Sequence, residues 1–265
     1  MTTRSTTVLV VGASGSVGSL VVAECLRHGY KTRALVRDYA RTRHVAPGAE
    51  VVVGDLTRLD TLVPAVEGVD AVIFAHGADG DKAQSEVVDY GGVRNVLAAL
   101  DRYPARIVMM SMMGVTNRDT VHNNHTQAND WKRRAERLIR ASGRPYTIVR
   151  PGWFDYNAPD QRRITMAQGD TRKSGGPSDG TIARRQVARV LVACLKSEAA
   201  RNKTFELYAE QGESPTDLEP LFAELQADPS GSLDGVLDVA NMSLESEPHR
   251  VRVDLNRAKQ SLERT

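Results

Sequence analysis

The stretch Val8-Leu9-Val10-Val11-Gly12-Ala13-Ser14-Gly15-Ser16-Val17-Gly18 constrains this chain more than any other. Four consecutive apolar residues, Val8 to Val11, leave a strand no polar face, so it belongs inside a parallel sheet covered on both sides. Gly12 permits a tight turn, Gly15 lets a backbone come close to a pyrophosphate, and Gly18 lets the following helix pack on the strand. Leu20, Val21, Val22, Cys25 and Leu26 continue with helical spacing. Such a helix offers free N–H groups and the positive end of its dipole to an anion. The glycines alone also fit an ordinary turn or a small-residue helix face. Their place between a strand and a helix, with a second strand at the expected distance, points to a bound dinucleotide.

A length of 265 residues suits one large α/β domain, or one domain with an appendage. Lys and Arg total 35 against 33 Asp and Glu, a balance that argues for neither nucleic acid nor a membrane surface as partner. Arg greatly outnumbers Lys and reads as scattered. Cys25 and Cys194 fall among apolar helical neighbours and read as buried, reduced thiols. Residues 8–26 resemble a secretion signal in apolarity, but Gly and Ser interrupt them and the strand-turn-helix accounts for them. The expectation is a cytoplasmic protein whose partner is a small molecule.

Further strands are expected at 32–36, 51–53, 71–75, 106–110, 146–150 and 204–208. Helices are expected at 59–66, 85–100, around Trp131 to Ile139, at 182–195 and at 218–225. Arg37 closes the second strand, where an acidic residue would select NAD and an arginine can meet a 2′-phosphate; the alternative is a solvated loop arginine. Arg41 and Arg43 could add charge there. Asp55 and Leu56 follow the third strand, and Asp55 could lie near an adenine, cap the next helix, or both. Ala75, His76 and Gly77 end the fourth strand, where a cofactor ribose would pass; His76 is either a cofactor neighbour or a polar loop residue. Residues 77–84 read as a mobile polar loop. Asp89 and Tyr90 could look toward the pocket, and the costly pair Gly91-Gly92 asks for close packing. The stretch 155–181 reads as an irregular substrate loop at the carboxyl edge. The division expected is a Rossmann domain over 1–211 and an extension over 212–265 that wraps onto it, too poor in apolar residues to fold alone.

These pieces, with Leu35-Val36-Arg37, Gly54-Asp55-Leu56, the Ser111 turn, Lys132 with Glu136, and Thr147-Ile148-Val149-Arg150-Pro151-Gly152, resemble the atypical short-chain dehydrogenase/reductases, the branch with NmrA-like NAD(P)H-binding reductases. The resemblance covers roughly the first 210 residues, about one Rossmann-type domain. It implies a doubly wound parallel sheet and NADP(H) as cofactor. It also implies that Gly12, Ser14, Gly15, Ser16 and Val17 cradle the pyrophosphate, that Ser14 and Arg37 approach the 2′-phosphate, that Lys132 bonds the nicotinamide ribose, and that Pro151, Trp153 and Phe154 line the nicotinamide.

The chain departs from that family at one chemical point. The tyrosine expected four residues before the active-site lysine is Ala128, and no Tyr lies between Tyr103 and Tyr146. Ser111 and Lys132 are then the catalytic candidates, Ser111 being alternatively a turn-capping hydroxyl. Tyr156, His122 and His125 are weaker ones. An acceptor needing little acid help suits such a site, for instance a carbonyl or quinone-like group of a bulky conjugated molecule, including a polyketide ketone. Met109, Met110, Met112 and Met113 could form an adaptable wall for it, or simply belong to the core. The competing expectation is a non-catalytic NADP(H)-binding redox sensor that acts through a protein partner. No metal site is expected.

Overall fold

The computed structural model describes residues 5–78, 81–101 and 103–263. Its elements run β1 (Thr7–Val11), α1 (Gly18–Arg27), β2 (Lys31–Val36), β3 (Glu50–Val53), α2 (Leu59–Val66), β4 (Ala71–Phe74), α3 (Lys82–Gln84), a π-helical turn (Ser85–Tyr90) and α4 (Gly91–Leu100). Then come β5 (Arg106–Met110), α5 (Val121–Thr126), α6 (Ala128–Ala141), β6 (Tyr146–Pro151), β7 (Trp153–Phe154), β8 (Arg163–Ala167), β9 (Thr181–Ile182), α7 (Arg184–Ala193), β10 (Lys203–Glu210), α8 (Glu219–Glu224) and α9 (His249–Glu263).

The sheet has the order β3-β2-β1-β4-β5-β6-β10, all parallel. β8 and β9 run antiparallel to β10, and β7 pairs with β9. The strand order reverses between β1 and β4, which opens a crevice at their carboxyl ends. Apolar residues of α1, α7 and α8 cover one face, and those of α2, α4, α6 and α9 cover the other. Val8 to Val11 are completely buried between these layers, as a strand apolar on both faces must be. The result is a doubly wound, Rossmann-type α/β fold.

Several expectations need correction. The helix expected over 85–100 is α-helical only from Gly91; its first six residues form a π turn, a feature often found near functional sites. A Cβ on Gly92 would sit 3.1 Å from Leu56 and 3.3 Å from the His76 ring, so close packing does explain that glycine. Tyr90 does not face the crevice: it donates a hydrogen bond to Asp254 and packs on Trp131. The stretch 155–181 is not irregular throughout, because β8 adds to the sheet inside it. Residues 79 and 80 of the expected loop lie outside the described residues, and Lys82–Gln84 is helical. The tail carries a second helix, α9, beyond the short one expected. Both cysteines are buried and free, and burial pushes each thiol up to about 12.

Some of the arginines are not scattered but gathered in one buried cluster. Arg133, Arg134, Arg137 and Arg140 all lie on α6 and all are buried. Their carboxylate partners come largely from the extension after residue 211. Asp234 meets Arg133 at 3.0 Å and Arg137 at 2.6 Å, Glu247 meets Arg134 at 2.7 Å and Arg137 at 3.1 Å, and Asp228 meets Arg140 at 3.2 Å. Arg150, at the end of β6, is shared by Glu136, Asp238 and Glu206 at 2.7, 2.7 and 3.3 Å.

That last cluster sets a pH dependence. Burial alone would raise Glu136, but the charges and hydrogen bonds of Arg150 and Arg140 hold it down to about 2. Glu206, competing for the same Arg150 and facing the carboxylate of Asp170, is raised by burial to about 7. A carboxyl held protonated in the fold stabilises below the ordinary value of 4.5, and that contribution is lost as pH rises through about 7. The stability of the unmutated chain relative to Glu206→Gln should therefore fall between pH 4.5 and 7, by at most about 3 kcal/mol. Thermal melts of both proteins across that window check it; a constant difference would remove Glu206 from the account. Glu136 acts in the opposite sense, its stabilisation being lost only as pH falls from 4.5 toward 2.

Candidate functional site

The carboxyl edge of the sheet gathers the glycine turn, the end of β4, the start of the loop after β5 and the β6–β7 corner. Gly12 adopts φ +83°, and a Cβ there would stand 2.8 Å from the backbone of His76. A Cβ on Gly18 would stand 2.0 Å from the Gly12 carbonyl oxygen. These two glycines therefore seat the turn against β4 and α1 against the turn. Gly15 and Ser16 are exposed, and no side chain caps the N-terminus of α1. An exposed loop leading into an uncapped helix N-terminus has the donor chemistry that holds a pyrophosphate, so the residues present fit a dinucleotide.

Arg37 is exposed just after β2, and its charge, after hydrogen bonds from Thr57 to the carboxylate, is among the influences that lower Asp55. Asp55 does not cap α2. The cap position is Arg58, and Asp55 instead accepts hydrogen bonds from the Thr57 N–H and hydroxyl in a tight local turn. Leu56 packs partly buried, its carbonyl accepting from Asn95.

Ala75 extends the β4 ladder by donating to the Val11 carbonyl at 2.9 Å. His76 Nε2 lies 3.1 Å from the Val88 carbonyl, an arrangement that makes Nε2 the donor, and Nδ1 is buried with no hydrogen-bond partner among the described residues. Burial lowers its pKa to about 4 against the pull of Asp89, so the ring is neutral at neutral pH. Lys132 Nζ donates to Asp89 Oδ1 at 2.9 Å, and the same oxygen accepts from the Ala78 N–H at 3.0 Å. Gly77 leaves this group open: a Cβ there would lie 3.8 Å from Nζ. The structure thus brings Lys132, Asp89, His76 and Gly77 together beside the glycine turn.

Ser111 belongs to a different neighbourhood. Its backbone continues the ladder with Val149, and its buried hydroxyl, without a hydrogen bond of good geometry, faces Glu136 closely enough to favour the ionised form. Among the described residues no hydrogen bond joins Ser111 to Lys132. Pro151 is buried in β6, Trp153 is 43 % exposed, and Phe154 is half-buried with the Arg184 guanidinium over its ring. Met109 is core and Met113 is buried, while Met110 and Met112 are half-buried. Tyr156 stands 66 % exposed, edge-on to Trp153, and His122 and His125 are exposed on α5. Ala128 sits one turn before Lys132 on α6. Cavities of about 420 and 390 Å³ lie elsewhere, one between β8 and α8 and one between α1 and α8. Neither touches the glycine turn.

Residues absent from the expected set also reach this edge. Asp170 accepts from the Gly114 and Thr116 N–H groups and so ties the 155–181 stretch to the loop after β5. Arg184, the first residue of α7, reaches the Ser16 hydroxyl. Neither was singled out from sequence, because each acts across more than 50 residues of chain.

The model of the NAD(P)H-binding family matches residues 12–198, from the glycine turn to the end of α7 and a little beyond. The chain belongs to the NAD(P)H-binding family. It is 29% identical over 266 aligned positions to sanguinarine reductase from Eschscholzia californica, across 84% of this chain and 97% of that one. It is 27% identical to the NAD(P)H azoreductase of Xenophilus azovorans, across 80% of this chain and 71% of the relative. Among solved structures, ChuY, the anaerobillin reductase of Escherichia coli O157:H7, superposes with a TM-score of 0.64 over 79% of this chain and 100% of its own, at 19% identity, a likeness of fold. The match places the chain with the atypical short-chain dehydrogenase/reductases. Among the described residues no helix is long and apolar enough to cross a membrane, and no His/Cys/Asp/Glu group could hold a metal.

Proposed function

We propose that this member of the NAD(P)H-binding family is an NADPH-dependent oxidoreductase that reduces a carbonyl or quinone-like group on a bulky, conjugated small molecule. The observation that carries the proposal is the pairing of a complete glycine cradle with Lys132 at one sheet edge, while Ala128 stands where the family's acid would be. The reductase names of the matched relatives support it.

Bound NADPH would supply the hydride. The backbone of Gly12, Ser14, Gly15, Ser16 and Val17 would hold its pyrophosphate and Arg37 its 2′-phosphate. Asp55 and Leu56 would border the adenine. Lys132, oriented by Asp89, would bond the nicotinamide ribose. Ala75, His76 and Gly77 would form the floor, with Pro151, Trp153 and Phe154 along the nicotinamide. The neutral His76 adds no charge to that floor. Ser111 remains the hydroxyl candidate named from sequence, but to meet the substrate oxygen its buried hydroxyl would have to turn away from Glu136; Met110 and Met112 are candidates for an apolar wall.

Two measurements test this. NADPH should bind more tightly than NADH, and Arg37→Ala should remove about tenfold or more of that preference, the worth of a charge-assisted phosphate contact. Equal affinities of the unmutated chain for the two nucleotides would withdraw the role of Arg37. Loss of NADPH absorbance should follow when quinones, flavins and conjugated aromatic ketones are offered in turn. Tight binding without oxidation by any of them would favour the redox sensor instead.

A further inference from the structure

Arg184 is separated from the glycine turn by more than 160 residues, yet its Nε donates to the Ser16 hydroxyl at 3.1 Å. The fold explains the approach. α7 packs beside α1 on the same face of the sheet, and both helices begin at its carboxyl edge. The guanidinium lies over the Phe154 ring, 5.0 Å from its centroid, and forms an ion pair with Asp155. Asp155 is fixed in that place. It adopts φ +60°, its N–H donates to the Ile182 carbonyl, and its Oδ1 accepts from the Arg184 N–H at 3.0 Å. Both side chains remain solvated, at 34 % and 49 % exposure.

We propose that Arg184 is a further pyrophosphate-binding residue: its guanidinium, held at the Ser16 hydroxyl of the glycine turn, binds the pyrophosphate, and Asp155 competes with that anion for it. The inference rests on the dinucleotide site proposed above. A solvated Arg–Asp pair is weak and easily exchanged. A pyrophosphate seated on the turn would offer the same planar fork more charge and several acceptor oxygens. Phe154 holds the guanidinium plane while it exchanges partners. The contact also joins the cradle to the β6–β7 corner, so that filling the turn and ordering the nicotinamide side become linked.

The test is calorimetric titration of the full chain with NADPH and with adenosine 2′-monophosphate, which carries the adenosine and its 2′-phosphate but no pyrophosphate. Arg184→Ala should weaken NADPH by about tenfold or more and leave adenosine 2′-monophosphate within about twofold. Asp155→Asn, by removing the competitor, should tighten NADPH by about threefold. Arg37→Ala should weaken both ligands. Arg184→Lys, which keeps the charge and loses the fork, should fall between the unmutated chain and Arg184→Ala, and it serves if the alanine variant fails to fold. NADPH affinity unchanged in a folded Arg184 variant, or both ligands weakened alike, would overturn this inference alone. Failure of the unmutated chain to bind NADPH would overturn the dinucleotide site, and the inference with it.

Discussion

A chain ending at Gln211 is expected to be unfolded or insoluble. Such a chain keeps every strand of the sheet and the whole glycine turn, so a simple view of the tail as decoration predicts a functional product. The buried charges predict otherwise. Truncation removes Asp228, Asp234, Asp238, Glu247 and Asp254 in one step. Arg133 and Arg150 are fully buried, and Arg134, Arg137 and Arg140 nearly so. A buried ion pair adds little net stability, but stranding one partner costs about 3–5 kcal/mol. Three such losses already approach the whole stability of a typical domain, about 5–15 kcal/mol. The cut also uncovers the apolar seat of Val251 and Leu255 on the α4–α6 face. Size-exclusion chromatography and a thermal melt decide the matter: a monodisperse product with a cooperative transition would show that the tail is dispensable. The single substitution Asp238→Ala isolates one element, with an expected loss of about 1.5–3 kcal/mol in denaturant unfolding, because Glu136 still pairs with Arg150.

Gly18→Ala should leave the sheet intact and weaken nucleotide binding by about 100-fold. The added Cβ would fall 2.0 Å from the Gly12 oxygen and 2.7 Å from its carbonyl carbon, both backbone atoms that no rotamer change can move aside. Gly12 cannot retreat, because it rests on the backbone of His76. The strain must therefore open the turn or displace the first turn of α1, and those are the groups proposed to hold the pyrophosphate. Overpacking of this kind costs about 1–3 kcal/mol or more, and if it falls on the cradle the affinity for NADPH drops by about 100-fold. Gly176→Ala is the control, since its Cβ would meet only the Ser174 hydroxyl at 4.0 Å. Titration with NADPH separates the two; near-equal affinities of the Gly18 variant and the unmutated chain would mean that the turn tolerates rearrangement and that its glycines serve packing alone.

The elements that carry the candidate site were legible in the sequence because their signals are local. The strand, the turn and the helix of 8–26 are contiguous, and Arg37 and His76 follow directly from strands whose apolar runs mark their ends. Asp55 was half legible: its turn was expected, but the choice of cap depends on how tightly Thr57 and Thr61 close around it. The π turn at 85–90 was hidden, since its side chains repeat nearly as an α-helix would. α6 was the least transparent element. Arg133, Arg137 and Arg140 fall on one helical face, which by composition alone looks like a solvated surface.

Sequence by itself determined the cofactor fold and the missing tyrosine at Ala128, because each is a matter of residue type within a few positions. Tertiary structure alone decided that the arginine-rich face of α6 is buried, that Asp89 holds Lys132, and that Arg184 stands at the Ser16 hydroxyl. Those facts depend on partners 43 to 168 residues away. A charge carries no mark of whether it faces water or a distant carboxylate; only the path of the folded chain supplies the partner.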